Sequence, residues 1–285
     1  MKILIAHKFY YRRGGDSVYA MELEQLLKRH GHEVAVFSMD YPANISTPWS
    51  RYFPGNMRIW MAATRPFGSQ EVRRKFSKLL DDFRPDVVHL NNIHTQLSPV
   101  IAELAHERGV RVVWTVHDYK LLCPRYDCLR GGKKVCELCF GGDKRPCLAH
   151  KCMKGSWTAS WIGYREALKW NRNRLEACTD MFICPSRFMA EKMAKGGFNR
   201  DKLKVLHNFI DVEKCRKSDY RKDDYYCYVG RLSHEKGVGT LIEAASRLPY
   251  KLKIIGEGPL LEHLKMKNKQ LNGNAEFLGF KQWDE

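Results

Sequence analysis

Three short stretches of the chain group residues suited to holding an anion. In Tyr228-Val-Gly-Arg-Leu-Ser-His-Glu-Lys-Gly237, an apolar run ends in Gly230, and Arg231 and Lys236 follow just ahead of a helical pattern. Two cations at a helix start suit a diphosphate, because fixed positive charge and the helix dipole both favour it. Downstream, Ile254-Ile-Gly-Glu-Gly-Pro259 sets Gly256, Glu257 and Gly258 ahead of a helix opened by Pro259. Near the N-terminus, Gly14-Gly15 stands between the first apolar run and the first helix, where glycine lets backbone N–H groups approach an anion. Each turn alone also fits an ordinary connecting loop whose glycines serve positive φ. Together, at the carboxyl edges of two sheets, they point to a nucleotide cleft. His117 closes another apolar run, where an imidazole can hydrogen-bond a hydroxyl or move a proton. The alternative is a structural histidine satisfied by Asp118 or by a backbone carbonyl.

A second group of residues is sulfur-rich. Six of the ten cysteines fall in Cys123-x4-Cys128-x7-Cys136-x2-Cys139-x7-Cys147-x4-Cys152. Four thiolates around Zn²⁺ would staple a segment with little structure of its own. Cys136 and Cys139 form the clearest ligand pair, Cys147 and Cys152 the second, with His150 or Cys123 as substitutes. Free buried thiols and disulfides are the other two readings. Because the insert follows His117 directly, it is expected to wall the acceptor side of the cleft.

The elements that must position these groups alternate along the chain. Strands are expected at 2–7, 33–38, 87–90, 111–116, 181–185 and 204–208, with helices over 16–30, 70–83, 99–108, 157–178 and 187–195 between them. That βαβα order predicts a parallel sheet covered on both faces. Residues 211–224 are charged and small, without apolar periodicity, and read as an interdomain linker. Alternation then restarts with strands at 225–230, 251–256 and 276–278 and helices at 237–247 and 259–270. The expected organisation is α/β: a Rossmann-like domain over 1–210 carrying the cysteine-rich insert near 123–152, the linker, and a partial Rossmann-like domain over 225–285.

Composition narrows the function classes. The 285 residues carry 49 Lys+Arg against 32 Asp+Glu, a formal net charge of +17, so an anionic partner is expected: phosphorylated substrate, anionic bilayer or nucleic acid. No nucleic-acid recognition motif accompanies the charge, and nucleic acid is set aside. No apolar run reaches the roughly 18 residues of a membrane span, so the chain is expected in the cytosol. Two stretches mix cations with aromatics. One runs from Trp49 through Tyr52, Phe53, Arg58, Trp60 and Arg65 to Lys75. The other is the helix carrying Trp157, Trp161, Tyr164, Leu168 and Leu175. Either can dock on an anionic bilayer; for the Trp157 helix, a stripe facing the domain core is the favoured reading.

The ordered set Gly14-Gly15, Pro85-Asp-Val-Val-His-Leu90, Thr115-Val-His-Asp118, Pro185-Ser186, His207-Asn-Phe-Ile-Asp211, Tyr228 to Gly237, Gly256-Glu-Gly-Pro259 and Phe277-Leu-Gly279 resembles the retaining glycosyltransferases of family 4, with the GT-B fold, over nearly the whole chain. The resemblance implies a nucleotide-diphosphate-sugar donor held between two Rossmann-like domains and no catalytic metal. It implies that Arg231 and Lys236 neutralise the departing diphosphate, and that Gly14, Gly15, Asn208, Gly230, Gly256, Glu257, Gly258 and Pro259 contribute to the donor site. His117 would lie beside donor sugar and acceptor, with Asp118 and Ser186 on the acceptor side. The acceptor would be a saccharide or lipid-linked molecule of cell-surface polysaccharide or glycolipid synthesis. Family members carry, past the segment matching Phe277-Leu-Gly279, two glutamates spaced eight apart that bind the donor. This sequence stops before such a pair. A fragment, a truncated product or a separate polypeptide completing the donor domain is therefore expected. A non-catalytic acceptor-binding or partner subunit is the competing reading. A dinucleotide-dependent oxidoreductase lacks its Gly-x-Gly-x-x-Gly after the first strand.

Overall fold

The computed structural model describes residues 1–55, 64–132, 134–212 and 223–281. The chain divides into two compact units, Met1–Asp211 and Val212–Glu285. Most of the linker expected at 211–224 lies outside the described residues, as do Arg58 and Trp60.

The first unit runs β1 (Lys2–Ala6), α1 (Gly15–Arg29), β2 (Glu33–Phe37), α2 (Gln70–Phe83), β3 (Val87–Leu90), α3 (Val100–His106) and β4 (Arg111–Thr115). The insert follows with a two-residue hairpin, β5 (Leu129–Arg130) and β6 (Lys134–Val135), and α4 (Arg145–Ala149). Then come α5 (Trp157–Lys169), α6 (Arg172–Ala177), β7 (Met181–Cys184), α7 (Arg187–Lys195) and β8 (Leu203–Val205). Six strands form one parallel sheet in the order β2-β1-β3-β4-β7-β8. Alternation along β1 divides the core: Leu4 and Ala6 face one layer with Phe76, Leu79 and Trp114, while Ile3 and Ile5 face the other with Tyr19, Ala20 and Leu23. Each fully buried large apolar side chain contributes roughly 1.5–3 kcal/mol, so both layers are needed to hold a sheet covered on both faces up to its part-exposed edge strand β8.

The helix expected over 157–178 is two helices. Trp170 is buried and donates its indole N–H to the carbonyl of Pro66 at 2.7 Å, which turns the chain; Asn171 Oδ1 then caps α6 by accepting from Arg174 N at 3.1 Å. The favoured core reading of its stripe holds for Leu175, which is 1% exposed in the core, and is corrected for the α5 part. Trp157, Trp161 and Leu168 are 54%, 44% and 41% exposed, whereas Ser160, Gly163 and Glu166 face inward. In the other aromatic stretch, Tyr52 and Phe53 are buried and Trp49 packs edge-on against Phe83, so this part belongs to the core.

The second unit holds β9 (Tyr225–Val229), α8 (Val238–Ala245), β10 (Lys251–Ile255), α9 (Leu261–Gln270) and β11 (Ala275–Gly279). Its three strands are parallel in the order β11-β10-β9. Leu252 and Ile254 pack with Val238, Ile242 and Leu264 in its core. The last helix begins at Leu261 rather than at Pro259, because Pro259 and Leu260 form a turn ahead of it.

Candidate functional site

In the first unit the polar groups gather beyond the carboxyl ends of β1, β3 and β4. Parallel pairing sets Ala6 beside Leu90 and Leu90 beside Trp114, so the residues after each strand meet although they are far apart in sequence. Asn91, 1% exposed, accepts through Oδ1 from His117 Nε2 at 2.9 Å. That bond fixes the Nε2–H tautomer and leaves Nδ1 as an acceptor. Burial lowers His117 to about 4, so the ring is neutral near pH 7. Its edge rests on Tyr19, ring centroids 5.1 Å apart. Asp118 does not orient this histidine: its carboxylate accepts from the Lys120 amide at 2.9 Å, and burial raises its pKa.

Beside them Asp16 accepts from Asn92 Nδ2 at 2.7 Å and approaches His7 Nε2 at 3.3 Å. Burial opposes its ionisation, but the His7 and Asn92 hydrogen bonds and the nearby Lys8 charge hold the carboxyl well below the usual range. Lys8 donates to Asn92 Oδ1 at 2.9 Å, and burial lowers its pKa.

Gly14 and Gly15 need no left-handed backbone. Gly14 caps α1 at φ −165°, and its amide is taken by Ser17 Oγ at 3.1 Å. A Cβ on Gly15 would meet nothing within 4 Å, so what glycine supplies there is open space. Asp16 already puts a carboxylate in the first turn of α1, and an anion approaching Gly15 meets it together with the helix dipole.

Ser186 has a structural use: its hydroxyl accepts from Met189 N at 3.1 Å and caps α7. Asn208 is exposed beyond β8, beside Phe209, which packs on Tyr19 with centroids 5.5 Å apart.

In the second unit the two glycine turns are locked together. Gly256, at φ +131°, is so close to Gly230 that a Cβ on it would strike the Gly230 carbonyl oxygen, and one on Gly258 would strike that of Leu232. Leu232 N donates to Glu257 O at 2.9 Å, and Leu260 N to Leu232 O at 3.1 Å. Glycine is required at both positions by this approach. Arg231 and Lys236 are exposed, and among the described residues neither forms an ion pair; Glu257 and Pro259 are exposed beside the same pair of turns. Glu235, whose carboxylate takes the Ser233 hydroxyl at 2.5 Å, has its pKa lowered by that bond and by the charges of Arg231 and Lys236. The strand-to-helix turn thus ends in two cations with charge to spare.

All six clustered cysteines, Cys136, Cys139, Cys147 and Cys152 with Cys123 and Cys128, line one cavity of about 10 Å³. They are free thiols, and burial pushes Cys139 up to about 11 and Cys147 to about 12. Among the described residues no group of three or more His, Cys, Asp or Glu side chains is arranged to hold a metal ion. Sequence reasoning missed Asn91, Asn92, Asp16 and Lys8. The short polar run Asn91-Asn92 after a strand was the available signal.

The chain is similar in sequence and in fold to known glycosyltransferases. A family model described as Glycosyltransferase Family 4 matches residues 13–214, and one described as Glycosyl transferases group 1 matches residues 211–285. An uncharacterised 42.6 kDa protein in the cps region of Klebsiella pneumoniae is 22% identical, over 98% of this chain and 74% of its own length. The lipopolysaccharide core biosynthesis glycosyltransferase LpsE of Rhizobium meliloti is 30% identical over 45% of this chain and 38% of its own. Among solved structures, the lipopolysaccharide outer core galactosyltransferase WaaB superposes with a TM-score of 0.57 at 15% identity, over 99% of this chain and 69% of that one. HepE of Anabaena, solved in complex with UDP and glucose, gives 0.58 at 15% identity, over 99% and 70%. These likenesses carry the GT-B fold, and the family match over more than half the chain carries the rest: the chain belongs to glycosyltransferase family 4.

Proposed function

We propose that this chain takes part in transferring a sugar from a nucleotide-diphosphate-sugar donor to a saccharide or lipid-linked acceptor in cell-surface polysaccharide or glycolipid synthesis, with retention of configuration. The observation that carries the donor assignment is the pair of exposed cations, Arg231 and Lys236, beside two glycine turns packed backbone to backbone. As the glycosidic bond to the donor breaks, charge builds on the departing diphosphate, and fixed cations there stabilise the transition state. A neutral His117, its Nε2 proton committed to Asn91, offers Nδ1 to a sugar hydroxyl. The cps-region and lipopolysaccharide relatives support the pathway class. The first experiment is calorimetric titration of the chain with UDP, GDP and ADP, beside Arg231→Ala and Lys236→Ala. Binding of one nucleotide that both variants lose supports the site; equal binding in both variants removes it.

Two further properties belong to the same proposal. A structural zinc in the cysteine insert would require the six thiols that line one small cavity to draw in around the ion, since no three of them are arranged as ligands, and it predicts about one metal per chain. Elemental analysis of protein prepared without chelator checks it, and a fully folded metal-free preparation refutes it. Docking on an anionic membrane is supported by the exposed stripe of Trp157, Trp161 and Leu168, with the Arg165 guanidinium 5.7 Å from the Trp161 ring centre and a net charge of +17. No helix of the described residues is long and apolar enough to cross a membrane. Flotation with phosphatidylglycerol vesicles should be lost in Trp157→Ser/Trp161→Ser, and retention by that variant would end the assignment.

A further inference from the structure

The zinc reading uses Cys136, Cys139, Cys147 and Cys152 and leaves two thiols of the insert over, Cys123 and Cys128. A tetrahedral site is complete with four ligands, so this pair needs another explanation. The chain brings the two together against backbone strain. Cys123 N donates to Tyr119 O at 2.7 Å and Tyr126 N to Cys123 O at 2.8 Å, which makes a tight turn through Pro124 and Arg125. Tyr126, at φ +69°, and Cys128, at φ +55°, then lie in the left-handed region, where a side chain is strained. Arg125 pins the turn: its Nε donates to both Asp127 carboxylate oxygens at 2.9 Å, and Nη1 to Cys152 O at 2.8 Å. The result is a contact between thiols. Cys128 donates through its S–H to the Cys123 sulfur, and both side chains line the cavity of about 10 Å³.

The two sulfurs differ in access. Cys128 is 8% exposed and packs in the main core, whereas Cys123 is partly exposed at the edge of that core. An external disulfide can therefore reach Cys123 and not Cys128. Cys147 and Cys152 form a second contacting pair, but both belong to the proposed ligand set. Cys178 and Cys184 are buried elsewhere, and neither lines the cavity.

The geometry points to Cys123 and Cys128 as a reversible dithiol, oxidised to a disulfide by a low-molecular-weight disulfide of the glutathione type. The Cys123 thiolate attacks one sulfur of the oxidant, whose S–S bond breaks and releases one thiol. Cys128, as thiolate, then attacks the Cys123 sulfur of the mixed disulfide and releases the second. Two cysteine thiols lose two electrons, and the oxidant leaves as two thiols that carry both protons. In a compartment that keeps thiols reduced, such a bond is a transient mark rather than a staple. It closes the loop that leaves His117 and Asp118, so it stiffens the chain directly after the His117 cluster. This inference does not depend on the sugar-transfer reading.

The test is treatment of the full chain with oxidised glutathione, alkylation of the remaining thiols, and tryptic mass spectrometry. Cleavage after Arg125 separates the two cysteines, so the bond appears as the peptides Leu121–Arg125 and Tyr126–Arg130 joined, and dithiothreitol should part them. Cys128→Ser should halt at a glutathione mixed disulfide on Cys123, and Cys123→Ser should leave Cys128 unmodified, with hydrogen exchange of β1 and β3 reporting that each variant is folded. Absence of the joined peptides in wild type, Cys128 joined to a different cysteine, or Cys128 modified in folded Cys123→Ser overturns the dithiol. Elemental analysis of the same samples keeps the two cysteine readings apart. Bound zinc without joined peptides sinks the dithiol alone, and joined peptides in folded, metal-free protein sink the zinc alone.

Discussion

His117 and Asn91 are 26 residues apart, and Nε2 of the first lies 2.9 Å from Oδ1 of the second because β3 and β4 are adjacent parallel strands that end at the same level. Asn91 is a positioning residue: it selects the tautomer that leaves Nδ1 free to accept. His117→Ala should slow donor hydrolysis in the absence of acceptor by about a hundredfold, the low end for loss of an acid–base group. Asn91→Leu should slow it by about tenfold while UDP affinity stays unchanged. Calorimetry paired with a nucleotide-release assay separates the two effects, and equal loss of binding and turnover in Asn91→Leu would contradict the assignment.

Gly256→Ala should unfold the second unit selectively. Its φ of +131° is strained for any side chain, and the added methyl would be driven onto the Gly230 carbonyl. The expected loss is about 3 kcal/mol or more, read by hydrogen exchange as faster opening of β9 and β10 with β1 and β3 protected as before. A variant with unchanged exchange in β9 would show that the two turns are not packed as described.

Stability should fall on mild acidification. His89 is buried, with Nε2 2.8 Å from Thr115 Oγ1, and burial lowers it to about 4 from an ordinary value near 6.5. Between those two values the unfolded chain binds the proton and the folded chain does not. The folded state is therefore fully favoured above about pH 6.5 and loses stability as pH falls toward 4, by on the order of 2–3 kcal/mol from His89 alone. Urea midpoints at pH 7, 5.5 and 4 test this: His89→Gln should flatten the slope, and a midpoint independent of pH in wild type would reject the mechanism.

The alternation of apolar runs and helical patterns was enough to read the parallel sheet, because β1, β2, β3, β4 and β7 are largely buried and so must be mostly apolar. The turn carrying Arg231 and Lys236 was equally readable, since glycine and cation spacing is local information. What stayed hidden depends on contacts between distant segments. Nothing around Trp170 breaks the helical period; the break comes from Pro66, more than a hundred residues earlier. Asn91 is one polar residue after a strand, and its role exists only once β4 lies alongside. Glu166 is on the inward face of a helix with a Trp157 stripe that looked like the buried one, so periodicity pointed to the wrong side.

The Lys144 ammonium, bonded at once to the carbonyls of Leu122 and Cys139, ties the root of the cysteine insert to the loop that leaves His117. Between those two carbonyls, Cys128 packs into the main core, Arg125 donates to the Cys152 carbonyl and Glu137 pairs with Lys192 and Lys195 of α7, so only the β5–β6 tip with its glycines at 131 and 132 lies outside that knot. The tip can therefore be lengthened, shortened or recoded without disturbing the histidine, while the same changes reshape what the rim of the insert presents. Such an anchored loop separates the part of the protein free to diversify from the part that chemistry holds still.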